Sequence, residues 1–407
     1  MTHPAGRSFL SYKRDRKAEA ELLISAQHDL GIPTWRDVDD LEEVPTEDEI
    51  RRVLRDPETA NAILWLTPEI AASEMVRKVE APLILERARQ GDEFFVIPVA
   101  AGGLDYGEAA DLLDSTFTLE DLRQWNLRKV AANPIDPASA ADVATRVLRR
   151  RIAAIHQNLP EGAPLRVVLH TRKAPPDPKA ALVLRWLHRF EGREAKPETW
   201  TDHLLPALGT VAKTIEELAP GRPVEATGLA AIPAAVALGS EFLAPRRLAI
   251  SWEQYTVERE PQKWSLAASK EASGFLAKCE ARDLGAKDLA VLLPVTDDVD
   301  TAFAASRSDL SPFRAILRFW KPGKPPHDLE NPGQAADLAY LIQREIRHAL
   351  REYPEIVCVH LFMAVPAGLA LMIGQLLNNV NAVQTYEAVP TASGKRYRPA
   401  ARLRPSG

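Results

Sequence analysis

The sequence predicts an α/β protein with a parallel-sheet domain at its N-terminus and a larger C-terminal part made of two related halves. Two observations carry this prediction. Short apolar runs alternate with helical stretches through the first hundred residues, the order that yields a parallel sheet with helices on both faces. Farther on, the octet Ala231–Leu238, "AIPAAVAL", recurs as Ala364–Leu371, "AVPAGLAL", with five of eight positions identical and two aliphatic exchanges. A third observation bears on partners: residues 1–120 hold 13 Lys and Arg against 25 Asp and Glu, net −12, whereas the remainder is net +7. An anionic partner therefore belongs with the C-terminal part, unless the asymmetry is only solvated surface charge.

The elements follow in order. Phe9–Tyr12 reads as the first strand, Lys17–Leu30 as a helix stopped by Gly31, and Ile32–Trp35 as a second strand. Ala62–Leu66 is a third strand, followed by helical Ser73–Gln90. The unbroken apolar run Phe94–Val99 is a fourth, buried on both faces. Ligands of such a sheet sit at the carboxyl ends of its strands, so "SFLSYKRDR", Ser8–Arg16, is a first strand ending in a functional loop. "NPIDP", Asn133–Pro137, marks a boundary, and Ala141–His156 is a helix whose polar side is expected to expose Arg146, Arg149, Arg150 and Arg151.

In the C-terminal part each octet lies between strand-like runs: Pro223–Thr227 and Arg247–Trp252 in one half, Ile356–Phe362 and Val380–Glu387 in the other. Each half also opens with a strand, Leu165–Arg172 or Asp288–Thr296. Pro233 and Pro366 suit the first turn of a helix, whose free N–H groups attract anions, so a cleft between the halves faces two positive helix ends.

Composition excludes several classes. The chain has 407 residues, more than one ordinary core holds, and its 46% hydrophobic content is that of a globular protein. No apolar run approaches the roughly 20 residues of a membrane helix, and the N-terminus lacks the pattern of a signal peptide, so a cytoplasmic location is expected. Cys279 and Cys358 are too isolated for a disulfide framework or a zinc motif, and no metal is expected.

Four segments of the first 120 residues, "FLSYKRDR", "GIPTWRDVDDL", "ILWLTPEIAASEMVRKVEAPLIL" and "FFVIPV", resemble a bacterial TIR domain. The segment "VHLFMAVPAGLALMIGQLLNNVNAVQTYE" is similar to a SAVED domain built of two CARF-like halves. Together they resemble the TIR-SAVED effectors of CBASS antiphage systems. That resemblance implies a flavodoxin-like TIR domain at 1–132, a linker and connecting helix at 133–160, and a SAVED domain at 161–407 with Rossmann-type halves near 161–284 and 285–407. It also implies that a cyclic oligoadenylate, with cyclic tri-adenylate the family's suggestion, binds SAVED, that the protein self-associates into filaments, and that TIR cleaves NAD as a substrate without any cofactor. DNA, RNA and membrane are not implied partners. A non-catalytic TIR scaffold regulated by a cyclic nucleotide is the alternative, and a nuclease-coupled sensor a more distant one.

Position by position, the resemblance puts the catalytic glutamate at Glu80. The chemistry agrees. Breaking the nicotinamide–ribose bond leaves oxocarbenium-like charge on the sugar while nicotinamide departs neutral, so one carboxylate facing that charge suffices. Ser11, Tyr12 and Lys13 are expected to wall an NAD cleft, with Ser73 and Trp35 as further contacts. Asp37, Asp39 and Asp40 are either pocket residues or a solvated acidic turn. The sequence departs from the family at Glu42–Pro45, where a glycine is common, and at Arg77, Lys78 and Val79, where a cysteine is frequent. For the cyclic nucleotide, strand ends and helix starts nominate His170, Thr171, Arg172, Gly228, Pro233, Phe362 and Pro366. Trp252, Trp264, Trp320 and Tyr397 are candidate stacking surfaces or core aromatics, and Arg396 lies in the tail "SGKRYRP", which either closes over a phosphate ring or frays.

Overall fold

The structure is a computed structural model that describes residues 2–35, 46–112, 127–177, 179–243, 249–256, 259–378, 380, 382–392 and 394–404. The chain divides into two units, Met1–Glu161 with Ala180–Leu184, and Gly162–Lys179 with Arg185–Gly407.

In the first unit the strands are β1 (Arg7–Ser11), β2 (Thr34–Trp35), β3 (Thr59–Leu66), β4 (Phe95–Ala100) and β5 (Arg128–Lys129), ordered β2-β1-β3-β4-β5. Every pairing is parallel. This is the flavodoxin-like order, with its switch point between β1 and β3. All eight residues of β3 are buried, Thr59 and Asn61 included, as expected of a central parallel strand covered on both faces.

The helix Pro137–Asn158 is capped by Asp136, whose carboxylate accepts from the Ser139 N–H at 2.7 Å. The sequence groups Arg151 with an exposed basic face, and the structure corrects this: Arg149 and Arg150 are exposed but Arg151 is 1% exposed. Its guanidinium donates to the carbonyls of Ala181 at 3.0 Å and Gly6 at 2.5 Å, and also to that of Ala5. Burial pushes its pKa down to about 9, which still leaves it charged at neutral pH. A positive charge surrounded by backbone carbonyls needs no carboxylate partner.

In the second unit β6 (Leu165–His170), β8 (Val224–Thr227) and β9 (Ile250–Thr256) run parallel, and β10 (Arg259–Trp264) returns antiparallel to β9. β7 (Leu182–Arg185) intervenes in the chain. The last sheet holds β11 (Leu276–Ala281), β12 (Asp288–Pro294), β13 (Ala315–Trp320), β14 (Cys358–Ala364), β15 (Val383–Thr391) and β16 (Gly394–Leu403), ordered β11-β13-β12-β14-β15-β16. The series β6, β8, β9, β10 is thus repeated as β12, β14, β15, β16: three parallel strands and an antiparallel return. The tail is not a frayed end, because Lys395–Tyr397 belongs to β16 and is paired along β15.

The two octets form the core of the helices Ile232–Glu241 and Ala367–Gln375, which pack on each other. Both are buried nearly all round, which explains why their sequences lack a polar stripe. Their crossing is set by glycine. A Cβ on Gly239 would lie 2.1 Å from the Leu371 carbonyl oxygen, and one on Gly374 would lie 2.2 Å from that of Val236. Among the described residues no helix is long and apolar enough to cross a membrane.

Candidate functional site

Two regions gather the residues nominated by the sequence. The first is the carboxyl edge of β1 and β3. Ser11 closes β1 and is fully buried, Tyr12 is buried, and the Lys13 ammonium lies 2.7 Å from Asp15. Trp35 is buried against Phe9, their rings 5.3 Å apart and nearly parallel. Ser73 Oγ accepts from the Val76 N–H at 3.4 Å, just before a π-helical turn, Val76–Glu80, which runs directly into the helix Ala81–Ala88; a second such turn spans Trp200–Leu204. Such turns concentrate at functional positions. Glu80 is 7% exposed. Asp37, Asp39 and Asp40 lie outside the described residues.

The same edge carries a polar group that the sequence did not single out. Arg16 bridges Glu19 at 3.0 Å and Glu69 at 2.6 Å, and the other Glu19 oxygen accepts from the Trp65 indole N–H at 2.9 Å. The hydrogen bond from Arg16 holds Glu69 below the usual carboxylate range. Glu19 belongs to the helix Lys17–Asp29 and is buried, which the tertiary fold and not the local sequence decides.

The second region lies within the C-terminal unit, where β6 and β8 end. His170 Nδ1 accepts from the Leu229 N–H at 3.2 Å, and Thr171 Oγ1 accepts from the Ala231 N–H at 2.8 Å. Gly228 has φ of +136° and a Cβ there would lie 2.1 Å from the Leu169 carbonyl oxygen, so only glycine lets these strand ends approach. His170, Thr171 and Gly228 therefore converge just before the helix that contains Pro233. Burial holds the His170 imidazole below its usual pKa, and its Nε2 is buried without a partner.

Arg172 continues this cluster and meets a residue from the other half. Its guanidinium is 3.7 Å from Glu387 of β15, and Arg193 is 3.9 Å from the same carboxylate oxygen. The Ile232 N–H, in the first turn of its helix, donates to that carboxylate too. Glu387 is 6% exposed, and burial pushes its pKa up to about 7 against the pull of both arginines. The opposite contact is related. Gln254 of β9 accepts from the Gly368 N–H at 3.0 Å, at the start of the second helix, just after Pro366. Gln254 and Glu387 are 133 positions apart, the spacing that also separates Pro233 from Pro366. Each half thus caps the helix of the other from an equivalent strand position. Extending the octet alignment along the following strand would have found both residues.

The remaining nominees are distributed differently. Phe362 is fully buried, stacked on Tyr386 at 4.3 Å and edge-on to Tyr397 at 5.2 Å, so both Phe362 and Tyr397 belong to an aromatic core. Arg396 is held by Asp309 at 2.8 Å and by Ser308 at 3.0 Å. Trp252 and Trp264 are buried cross-strand neighbours beneath Gly368, while Trp320 is 39% exposed. Elsewhere, Asp288, Cys358 and His360 bring potential metal-ligand atoms within 4.8 Å of one another. Burial keeps the Cys358 thiol protonated and Arg402 adds positive charge, and both oppose a divalent cation.

Comparison with known proteins covers part of this region, since His170, Thr171, Arg172 and Arg193 precede the matched residues. Residues 208–403 match the family model of SAVED, described as "SMODS-associated and fused to various effectors sensor domain". No curated protein is a significant match to the chain. Among solved structures, the chain is similar to the Acinetobacter baumannii Cap4 SAVED/CARF-domain containing receptor with the cyclic trinucleotide 2'3'3'-cAAA, at 15% identity and a TM-score of 0.49, covering 89% of this chain and 86% of that one. It is also similar to the Moraxella osloensis Cap4 SAVED/CARF-domain containing receptor, at 15% identity and a TM-score of 0.44, covering 96% of this chain and 100% of that one.

Proposed function

We propose that the chain is a ligand-gated NAD glycohydrolase of the CBASS antiphage type, in which the SAVED part binds a cyclic oligoadenylate and residues 1–132 cleave NAD to nicotinamide and ADP-ribose. The observation that carries the sensing half is the convergence of His170, Thr171, Arg172 and Arg193 on a helix start within a SAVED domain. Guanidinium groups and free N–H groups at a helix start are the donors that phosphodiesters require. For the catalytic half, the supporting observation is a buried glutamate in a π-helical turn that follows β3 in the chain, in a domain whose sheet has the flavodoxin order.

In this reading Glu80 faces the positive charge that develops on the ribose as the C1′–N bond lengthens. Nicotinamide leaves with the bonding electron pair, water adds its oxygen to C1′, and one proton is released. Cyclic tri-adenylate is the preferred activator to test. Purified protein incubated with NAD, with and without a panel of cyclic oligonucleotides, should release nicotinamide only with the activating ring. Glu80→Gln keeps the side-chain size but removes its charge, so turnover should fall at least about 10²-fold while ligand binding persists. Nicotinamide release at the wild-type rate would reject Glu80. Absence of release under every condition, with ligand binding intact, would favour a regulated scaffold, a reading consistent with the burial of Ser11 and Trp35.

A further inference from the structure

The contact between Glu387 and the opposite half has no counterpart in the function above. Glu387 is a carboxylate of the second half lodged against Arg172, Arg193 and the Ile232 N–H of the first. Its repeat equivalent, Gln254, performs the same cross-half capping with a neutral amide. Capping therefore does not require a charge. At Glu387 the charge is added where two guanidiniums and a helix start already form a receptor for an anion. The Arg172 Nε is also buried without a partner, a donor that the carboxylate leaves unused.

We propose that Arg172, Arg193 and the Ile232 N–H form a seat for a phosphodiester group and that the Glu387 carboxylate is its internal occupant, which an anionic ligand must displace or find protonated. The proposal deepens the reading of this unit as a sensor of an anionic nucleotide and rests on it for the ligand's identity. The competition follows from position: a phosphodiester would take the place that the carboxylate holds on the Ile232 N–H and 3.7 and 3.9 Å from the two guanidiniums, and two anions on one such site repel each other. Other charged or titratable groups around Glu387 are Glu194, Tyr397 and, beside it on β16, Arg398. Burial keeps the Tyr397 hydroxyl protonated and lowers the His170 imidazole, whereas it raises Glu387 to about 7, so the charge of Glu387 changes near neutrality. If only the protonated form admits an anion, apparent affinity should be about tenfold weaker at pH 8 than at pH 6.

The test uses the full chain and sulfate, whose charge is constant over that range, titrated at fixed ionic strength and followed by thermal shift. The wild type should bind sulfate about tenfold more weakly at pH 8 than at pH 6. Glu387→Gln should remove this difference and bind at pH 8 as well as the wild type does at pH 6, whereas Arg193→Ala should weaken binding at both. A Glu387→Gln protein that binds sulfate equally or less well than the wild type at pH 8 overturns the proposal, because Glu387 would then be holding the arginines in place. If that variant does not fold, a wild-type affinity unchanged between pH 6 and pH 8 overturns it alone. A parallel titration with cyclic tri-adenylate separates the two claims. Sulfate behaviour as expected, with no cyclic oligonucleotide bound by either protein, supports the seat and rejects the ligand.

Discussion

Glu387 shows how one buried carboxyl couples stability to pH. Its carboxyl is raised from an ordinary value of 4.5 to about 7, with burial as the main cause. Between those values the folded protein keeps a proton that the unfolded chain has released, so stability must fall as pH rises through the window and level off above it. The shift corresponds to about 3 kcal/mol. We predict that urea unfolding followed from pH 5 to pH 8 loses stability on that scale, and that Glu387→Gln flattens the decline and is the more stable protein at pH 8. A wild-type profile that rises with pH over the same range would show the carboxylate to be stabilised rather than penalised by its site. Arg151 presents the opposite case, a buried charge retained because backbone carbonyls surround it.

Among elements, the crossing of Ile232–Glu241 with Ala367–Gln375 is the most constrained. Alanine normally improves a helix by about 1 kcal/mol over glycine. At Gly239 that gain is outweighed, since the new Cβ would sit 2.1 Å from the Leu371 carbonyl oxygen and the helices must separate. Gly239→Ala should therefore destabilise by roughly 1–3 kcal/mol. Gly209, in the helix Leu205–Leu218, is the control: a Cβ there meets only the Glu241 carboxylate at 3.6 Å, an ordinary contact. Gly209→Ala should leave stability unchanged or raise it by up to about 1 kcal/mol. Chemical denaturation of both variants provides the comparison, and equal effects would deny the crossing its special role.

At the scale of the whole molecule, the proposed function requires that ligand binding raise turnover. A ligand shifts an equilibrium only if it prefers one state, so assembly couples to sensing when the assembled form holds the ligand more tightly. A head-to-tail contact closes into a ring only for particular rotations and otherwise continues as a filament. We predict that cyclic oligoadenylate raises molecular mass and NAD cleavage over the same concentration range, and that dilution lowers both. Light scattering that reports a monomer while NAD is cleaved at full rate would replace assembly with a switch inside one chain.

Much of this organisation was legible in the residues themselves. Phe94–Val99 announced the buried strand Phe95–Ala100, and the two octets announced a pair of equivalent helices, because period and composition act over a few neighbouring residues and survive without tertiary context. His170, Thr171 and Gly228 were placed correctly together for the same reason: strand ends and helix starts are local features. Arg151 was misread because a helical pattern defines a face but not what docks on it. Phe362 was nominated from a strand end and Tyr397 as a stacking surface or a core aromatic, and the structure places both in an aromatic core. Glu387 and Glu19 carry no local mark of the burial that the structure gives them. The sequence by itself determined the first four strands of the N-terminal sheet and the internal repeat, since these depend on short-range backbone preference and apolar spacing, while the antiparallel strands β10, β11 and β16 were not marked in it. Only the tertiary structure decided which charges are buried and what they face, because Glu387 and Arg172 lie 215 residues apart and meet only when the two halves pack.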